Sequence, residues 1–242
     1  MIRGLLIVFA LLCGGFCLAA ESLNILVYGA SGEVGSHIVT EALERGHRVT
    51  AVSRDPSRIT LRHDNLQARA GDLLDAESID SLLAGHDVVV ISVRGVIGEK
   101  VGRNALQRIA VENVVDGIRR QSRNLPRLIH IGGSGTLEIR PGVLYADAIP
   151  NIFIKKRLEA EIEGQILALE YLRGVSDVAW SYVTPPKRFT NGERTGEYRT
   201  GGDQVLKNKR GRSRISRADF AVAVIDEIES AAHSRRRFTV AY

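Results

Sequence analysis

The seven residues Gly29-Ala30-Ser31-Gly32-Glu33-Val34-Gly35 carry the chemistry most readable from this chain. They stand between the apolar run Leu23 to Tyr28 and an amphipathic segment from Ser36 to Arg45. A strand, a tight glycine turn and a helix start in that order make a cradle for phosphate. Gly29 permits the turn, Gly32 lets the backbone approach a pyrophosphate, and Gly35 lets the helix pack closely on the strand. Ser31, Glu33 and Val34 complete the loop, and the helix start adds N–H groups and a positive dipole end. The pattern predicts a dinucleotide site.

The residues after the next strand choose between dinucleotides. His47 to Val52 reads as that strand, with Ser53-Arg54-Asp55-Pro56 behind it. A site for NAD(H) ends this strand in Asp or Glu, which accepts hydrogen bonds from the ribose 2′-OH. Ser53 and Arg54 instead offer a donor and a cation suited to a 2′-phosphate, and Arg58 adds a second charge. NADP(H) is therefore expected over NAD(H).

The elements that must position these residues alternate strand and helix, as a doubly wound α/β parallel sheet requires. Strands are expected at Leu66 to Ala70, Asp87 to Ser92, Arg127 to Gly132 and Asp177 to Val183. Helices are expected at 76–84, 103–122 and 152–173. Ligands in such sheets collect at the carboxyl ends of the strands. That gathers Asp72 and Leu73, Ser92, Val93 and Arg94, Gly132, Gly133 and Ser134, and Pro185 around one crevice. Asp72 would hold the adenine amino group and Leu73 would cover the ring.

With 242 residues, 44% hydrophobic and 25% charged, the chain suits one α/β domain over 21–242. Aromatics make up only 5%, which argues against a base-stacking nucleic-acid surface, and the formal charge of +5 is mild. The first 20 residues have the layout of a secretory signal peptide. Arg3 gives a positive start, Gly4 to Leu12 an apolar core, and Cys17-Leu18-Ala19-Ala20 small residues for cleavage. The core is too short to span a bilayer, so no stable anchor is expected after cleavage. Export is the expectation; a true start near Leu18 or Leu23 would make the protein cytoplasmic. Both cysteines, Cys13 and Cys17, lie in this leader, leaving none for disulfides. No metal spacing is visible among the histidines and carboxylates.

Beyond the glycine loop, Gly71-Asp72-Leu73, Gly132-Gly-Ser-Gly135, the stretch Asn191 to Gln204, Ser213 to Ala223 and Arg236 to Tyr242 together resemble one family. The chain over 23–242 is similar to the atypical short-chain dehydrogenases of the NADH-flavin reductase type, related to biliverdin reductase B and the NmrA-like proteins. The leader is not part of that pattern. The resemblance implies a Rossmann-type sheet of seven parallel strands with a small C-terminal cap at about 190–216. It also implies that Arg237 to Ala241 closes the sheet edge. Asp203 and Gln204 would either line the substrate opening or tie the cap loops together.

Ordinary short-chain dehydrogenases use a Tyr with a Lys four residues on. Tyr145 is followed at that spacing by Ile149, and Lys155 and Lys156 lack a suitable tyrosine. Ser134 is the remaining candidate for catalysis, as a hydrogen-bond donor to a substrate oxygen. Missing acid chemistry suits a flavin, a quinone or a related conjugated acceptor, since hydride adds directly to such rings and positioning carries most of the rate. It equally suits an NADP(H)-binding sensor or scaffold that catalyses nothing. A flavin would then be substrate rather than resident cofactor, and the chain a monomer or homodimer. Lys207, Lys209, Arg210, Arg212 and Arg214 alternate with small residues, so they are expected on one side of a hairpin or in a solvated loop.

Overall fold

Apolar runs free of charged side chains can sit only where both faces of a sheet are covered, and two such runs lie at its centre. The computed structural model describes residues 21–95, 106–123, 125–149 and 152–242, with backbone alone over 152–157. The expected leader, positions 103–105 of the expected third helix, and the side chains of Lys155 and Lys156 lie outside the described residues.

In chain order come β1 (Asn24–Tyr28), α1 (Gly35–Glu44), β2 (Arg48–Ser53), β3 (Leu66–Ala70), α2 (Ala76–Leu83), β4 (Val88–Ile91), α3 (Leu106–Arg120) and β5 (Arg127–Ile131). A short hairpin, β6 (Glu138–Arg140) and β7 (Val143–Leu144), precedes the long helix α4 (Ile152–Arg173). Then follow β8 (Trp180–Thr184), β9 (Arg188–Thr190), β10 (Arg199–Gly201), β11 (Arg214–Ser216), α5 (Arg217–Ser230) and β12 (Arg236–Ala241). The helix starts follow local chemistry. Asp75 accepts the Glu77 and Ser78 N–H groups to begin α2, and Ser216 accepts that of Asp219 to begin α5.

The main sheet runs β10-β12-β8-β5-β4-β1-β2-β3. Seven of these strands are mutually parallel, as expected for a Rossmann-type doubly wound fold. The eighth corrects the expected edge. β10, taken from the cap stretch, pairs antiparallel with β12 through Arg199–Ala241, Thr200–Val240 and Gly201–Thr239, so β12 is interior. Its backbone groups are thereby satisfied by a segment too short to read as a strand from periodicity.

Alternating side chains of the central strands feed two cores. Ile25, Val27, Val88 and Val90 face α1 and α5, where Ile38, Ala42, Phe220 and Val224 meet them. Leu26, Tyr28, Val89 and Ile91 face α2, α3 and α4, against Ile79, Val114 and Leu169. Of the two readings of the basic stretch, the loop is what the structure shows. β11 pairs parallel with β9, and residues 208–212 form a tight turn in which Asn208 Oδ1 accepts the Arg210 and Arg212 N–H groups.

Candidate functional site

The carboxyl ends of β1, β2, β4, β5 and β8 open into one cavity of about 1250 Å³. Its wall holds Gly29, Ser31, Gly32, Glu33 and Val34 from the first loop, Arg54 after β2, and Asp72 and Leu73 after β3. Ser92, Val93 and Arg94 after β4, Gly132, Gly133 and Ser134 after β5, and Pro185 after β8 complete the set. Of the expected site residues only Gly35 stands behind the wall. A Cβ there would lie 2.2 Å from the Gly29 carbonyl oxygen, so Gly35 serves the packing of α1 on the loop.

The first loop fits a pyrophosphate. Gly29 has φ +77°, and a Cβ on it would sit 2.1 Å from the Ser92 carbonyl oxygen. A Cβ on Gly32 would meet only the Gly29 oxygen, at 3.1 Å, and otherwise face the open cavity. Helix α1 starts without a side-chain cap or an acidic residue in its first turn, which leaves its positive dipole end for an anion, although the Ser36 N–H is taken by the Gly32 carbonyl at 3.0 Å. Glu33 has a second role, because its carboxylate pairs with Arg217 of α5 at 2.9 Å and so joins the loop to the opposite wall.

At the end of β2 the Ser53 and Ser31 hydroxyls lie 3.2 Å apart. Asp55 is occupied with Ser57, accepting from its N–H and its hydroxyl. Among the described residues Arg54 has no ionic partner, and both it and Arg58 face the cavity. After β3, Asp72 Oδ1 accepts the Leu74 N–H at 2.9 Å, which leaves its other oxygen for a ligand. Leu73 is held by Asn113, whose amide donates to its carbonyl.

The opposite end of the cavity holds groups that motif reading passed over. Gly132 is required by a neighbour rather than by a ligand, since a Cβ would meet the Tyr182 ring at 2.1 Å. Tyr182 donates to Gln165 Oε1 at 2.9 Å, and His130 Nε2 lies 3.0 Å from the same oxygen. Gln165 then donates through its amide to Glu161 Oε1 at 3.3 Å. Glu161 and Gln165, one turn apart on α4, both line the cavity beside Ser134. Burial pushes the Glu161 carboxyl above the usual carboxylate range, against hydrogen bonds from Gly95, Gln165 and Gln107 and the charge of Arg94. Burial lowers His130 to about 4, with the Gln165 bond opposing, so its ring is neutral at physiological pH. The four-residue spacing of Glu161 and Gln165 was the only signal in the sequence, and polar pairs at that spacing are common on solvated helices.

Ser134 opens a short 3₁₀ turn, and among the described residues its hydroxyl has no hydrogen-bond partner. Tyr145 lies away from that hydroxyl role, under the Lys187 ammonium at 4.0 Å. Asp203 and Gln204 are not in the cavity wall. Asp203 instead pairs with Arg173 and Arg237, the loop-tying alternative. No three His, Cys, Asp or Glu side chains come together among the described residues, and no described helix is long and apolar enough to cross a membrane.

Comparison with known proteins accords with this geometry. Residues 29–231 match the model of a family described as NAD(P)H-binding. The Bacillus subtilis (strain 168) protein YwnB is 32% identical over 220 residues, which cover 90% of this chain and 98% of YwnB. A Burkholderia pseudomallei protein assigned to export is 37% identical, with a TM-score of 0.77 over 91% of this chain and 100% of that one. A Streptococcus pneumoniae protein assigned as an NADH-flavin reductase is 26% identical, with a TM-score of 0.75 over 91% and 99%.

Proposed function

This chain belongs to the NAD(P)H-binding family, and from that premise we propose that it is an oxidoreductase using NADPH to reduce a flavin, a quinone or a related conjugated acceptor. The observation that carries this reading is one cavity with two unlike ends. Ser53, Arg54 and Arg58 offer hydroxyl and cationic groups at one, and at the other the Ser134 hydroxyl stands beside the Glu161 carboxyl and the Gln165 amide. The first loop and the uncapped start of α1 would hold the pyrophosphate, Arg54 the 2′-phosphate, and Pro185 with Gly133 the far wall.

The bound dihydronicotinamide supplies a hydride. The residues of this chain orient the acceptor against it and exclude water, with Ser134 hydrogen-bonding an acceptor oxygen. No tyrosine in the sequence is followed by a lysine four residues on, which directs the reading to acceptors that take a proton from solvent. The same observation supports the second reading, an NADP(H)-binding sensor or scaffold.

Residues 1–20 act in this proposal as a secretory leader, a reading supported by the export assignment of the Burkholderia relative.

The test measures nucleotide binding, then NADPH oxidation with FMN, a soluble quinone and biliverdin. Wild type is expected to bind NADPH and turn over at least one acceptor, and Gly32→Val to lose binding because its side chain enters the pyrophosphate space. Tight binding with no turnover of any acceptor would favour the sensor.

A further inference from the structure

The acceptor end of the cavity carries positive charge that nothing in the described protein balances. Lys187 and Arg188 line it immediately beyond β8. Lys187 is half-buried against the Tyr145 ring, and burial followed by the nearby charge of Lys207 holds its pKa below the usual lysine range. Arg188 stands opposite Arg214 in the parallel register of β9 and β11. Like charges at facing strand positions are destabilising.

Several arginines elsewhere are matched. Arg45, Arg119, Arg120, Arg194, Arg217 and Arg237 each pair with a carboxylate. Among the described residues Lys187, Arg188, Lys207 and Arg214 make no ion pair. The backbone at Lys207 is nonetheless held in place. The Arg199 guanidinium donates to the Lys207 carbonyl at 3.1 Å and to that of Tyr242 at 2.7 Å, and the Asn208 turn fixes the chain beyond. The carboxyl on that side of the cavity, Glu161, is engaged by Gly95, Gln107 and Gln165 instead.

This cluster is separate from the 2′-phosphate position. β8 and β2 are four strand spacings apart, roughly 19 Å at about 4.8 Å each. We propose that Lys187 and Lys207, flanked by Arg188 and Arg214, form a second anion subsite that receives the phosphate or carboxylate tail of the acceptor. The proposal rests on the reductase reading and narrows it, favouring acidic conjugated acceptors over neutral quinones.

Equilibrium binding to protein saturated with NADP⁺ tests this with matched ligand pairs. FMN and riboflavin share a ring and differ by a phosphate; biliverdin and its dimethyl ester differ by carboxylate charge. Wild type is expected to hold the charged member of at least one pair about tenfold tighter or more, with the preference shrinking as salt is raised. The pair that shows the preference identifies phosphate or carboxylate as the tail. The double variant Lys187→Met, Lys207→Gln should lose that preference while keeping its affinity for the uncharged member and for NADPH, which also shows that it folds. Equal affinities within both pairs in wild type would overturn the subsite and leave the reductase reading standing. So would a double variant that keeps the preference, or one that weakens NADPH as much as the charged acceptor. No binding of any of the four ligands beside intact NADP⁺ binding would overturn the acceptor reading itself, and the subsite with it.

Discussion

At the end of β2 a guanidinium stands where a carboxylate would serve a free ribose. Arg54→Ala is expected to weaken NADPH binding roughly tenfold to a hundredfold and to leave NADH nearly unchanged. Titration of both nucleotides checks it, and equal affinities in the wild type would remove the assignment. His130 allows a second prediction. Its native pKa of about 4 lies below the unfolded value of about 6.5. The unfolded chain therefore binds the extra proton, and stability falls as pH drops from about 6.5 towards about 4. Urea midpoints measured across that range should lose about one proton's worth of slope in His130→Gln. The glycine loop and Arg54 were legible because a backbone conformation and a charge each constrain residue type. Gly132 was legible as part of the crevice, whereas its need for hydrogen, set by the Tyr182 ring on a neighbouring strand, was not. Glu161 and Gln165 were not legible, because helix spacing alone does not tell a cavity wall from a wet surface.

Helix α4 begins and ends where periodicity placed it, and the core strands fall within a residue of expectation except β8, which starts three residues late at Trp180, because long amphipathic or apolar runs settle their own structure. The 190–216 stretch behaves otherwise. β9, β10 and β11 are three residues each, and what fixes them is reach to distant partners. Arg194 grips Glu41 of α1 through two bonds, at 2.7 and 2.8 Å. Asp219, fully buried, accepts from the Thr195 and Gly196 N–H groups, both at 2.7 Å, and from the Thr195, Ser216 and Tyr242 hydroxyls. Burial raises its pKa, but these bonds together hold it below the usual carboxylate value. Asp219→Asn should cost about 2–4 kcal/mol, since an amide cannot accept at both ends. Thermal unfolding would show the loss, and hydrogen exchange should quicken at Thr195 and Gly196 before it does in the central strands. An unchanged exchange pattern would mean that Asp219 does not anchor this segment.

For the whole molecule, a parallel sheet followed from alternating strand and helix and its seven parallel strands from the family resemblance, whereas the strand order and the added antiparallel edge did not. The fold takes hold close behind the expected cleavage point. Ser22 Oγ donates to the Gly46 carbonyl, and the Asn24 N–H to Asp87 Oδ2 at 2.8 Å. N-terminal sequencing of native protein is therefore expected to begin near Ala20 or Glu21, outside the cytoplasm; an intact cytosolic protein starting near Leu23 would remove the leader. The sheet bears on the same question through time. β1 lies between β2 and β4, and Ile25 must find Val88 before the centre of the sheet exists. No parallel pair here can close as a local hairpin, so the chain pays loop entropy first and folds slowly. A nascent polypeptide with this topology stays threadable for longer than a helical bundle of the same length. A secretion channel that passes unfolded chain would have that interval in which to act, before any nucleotide site had formed to hold the protein back.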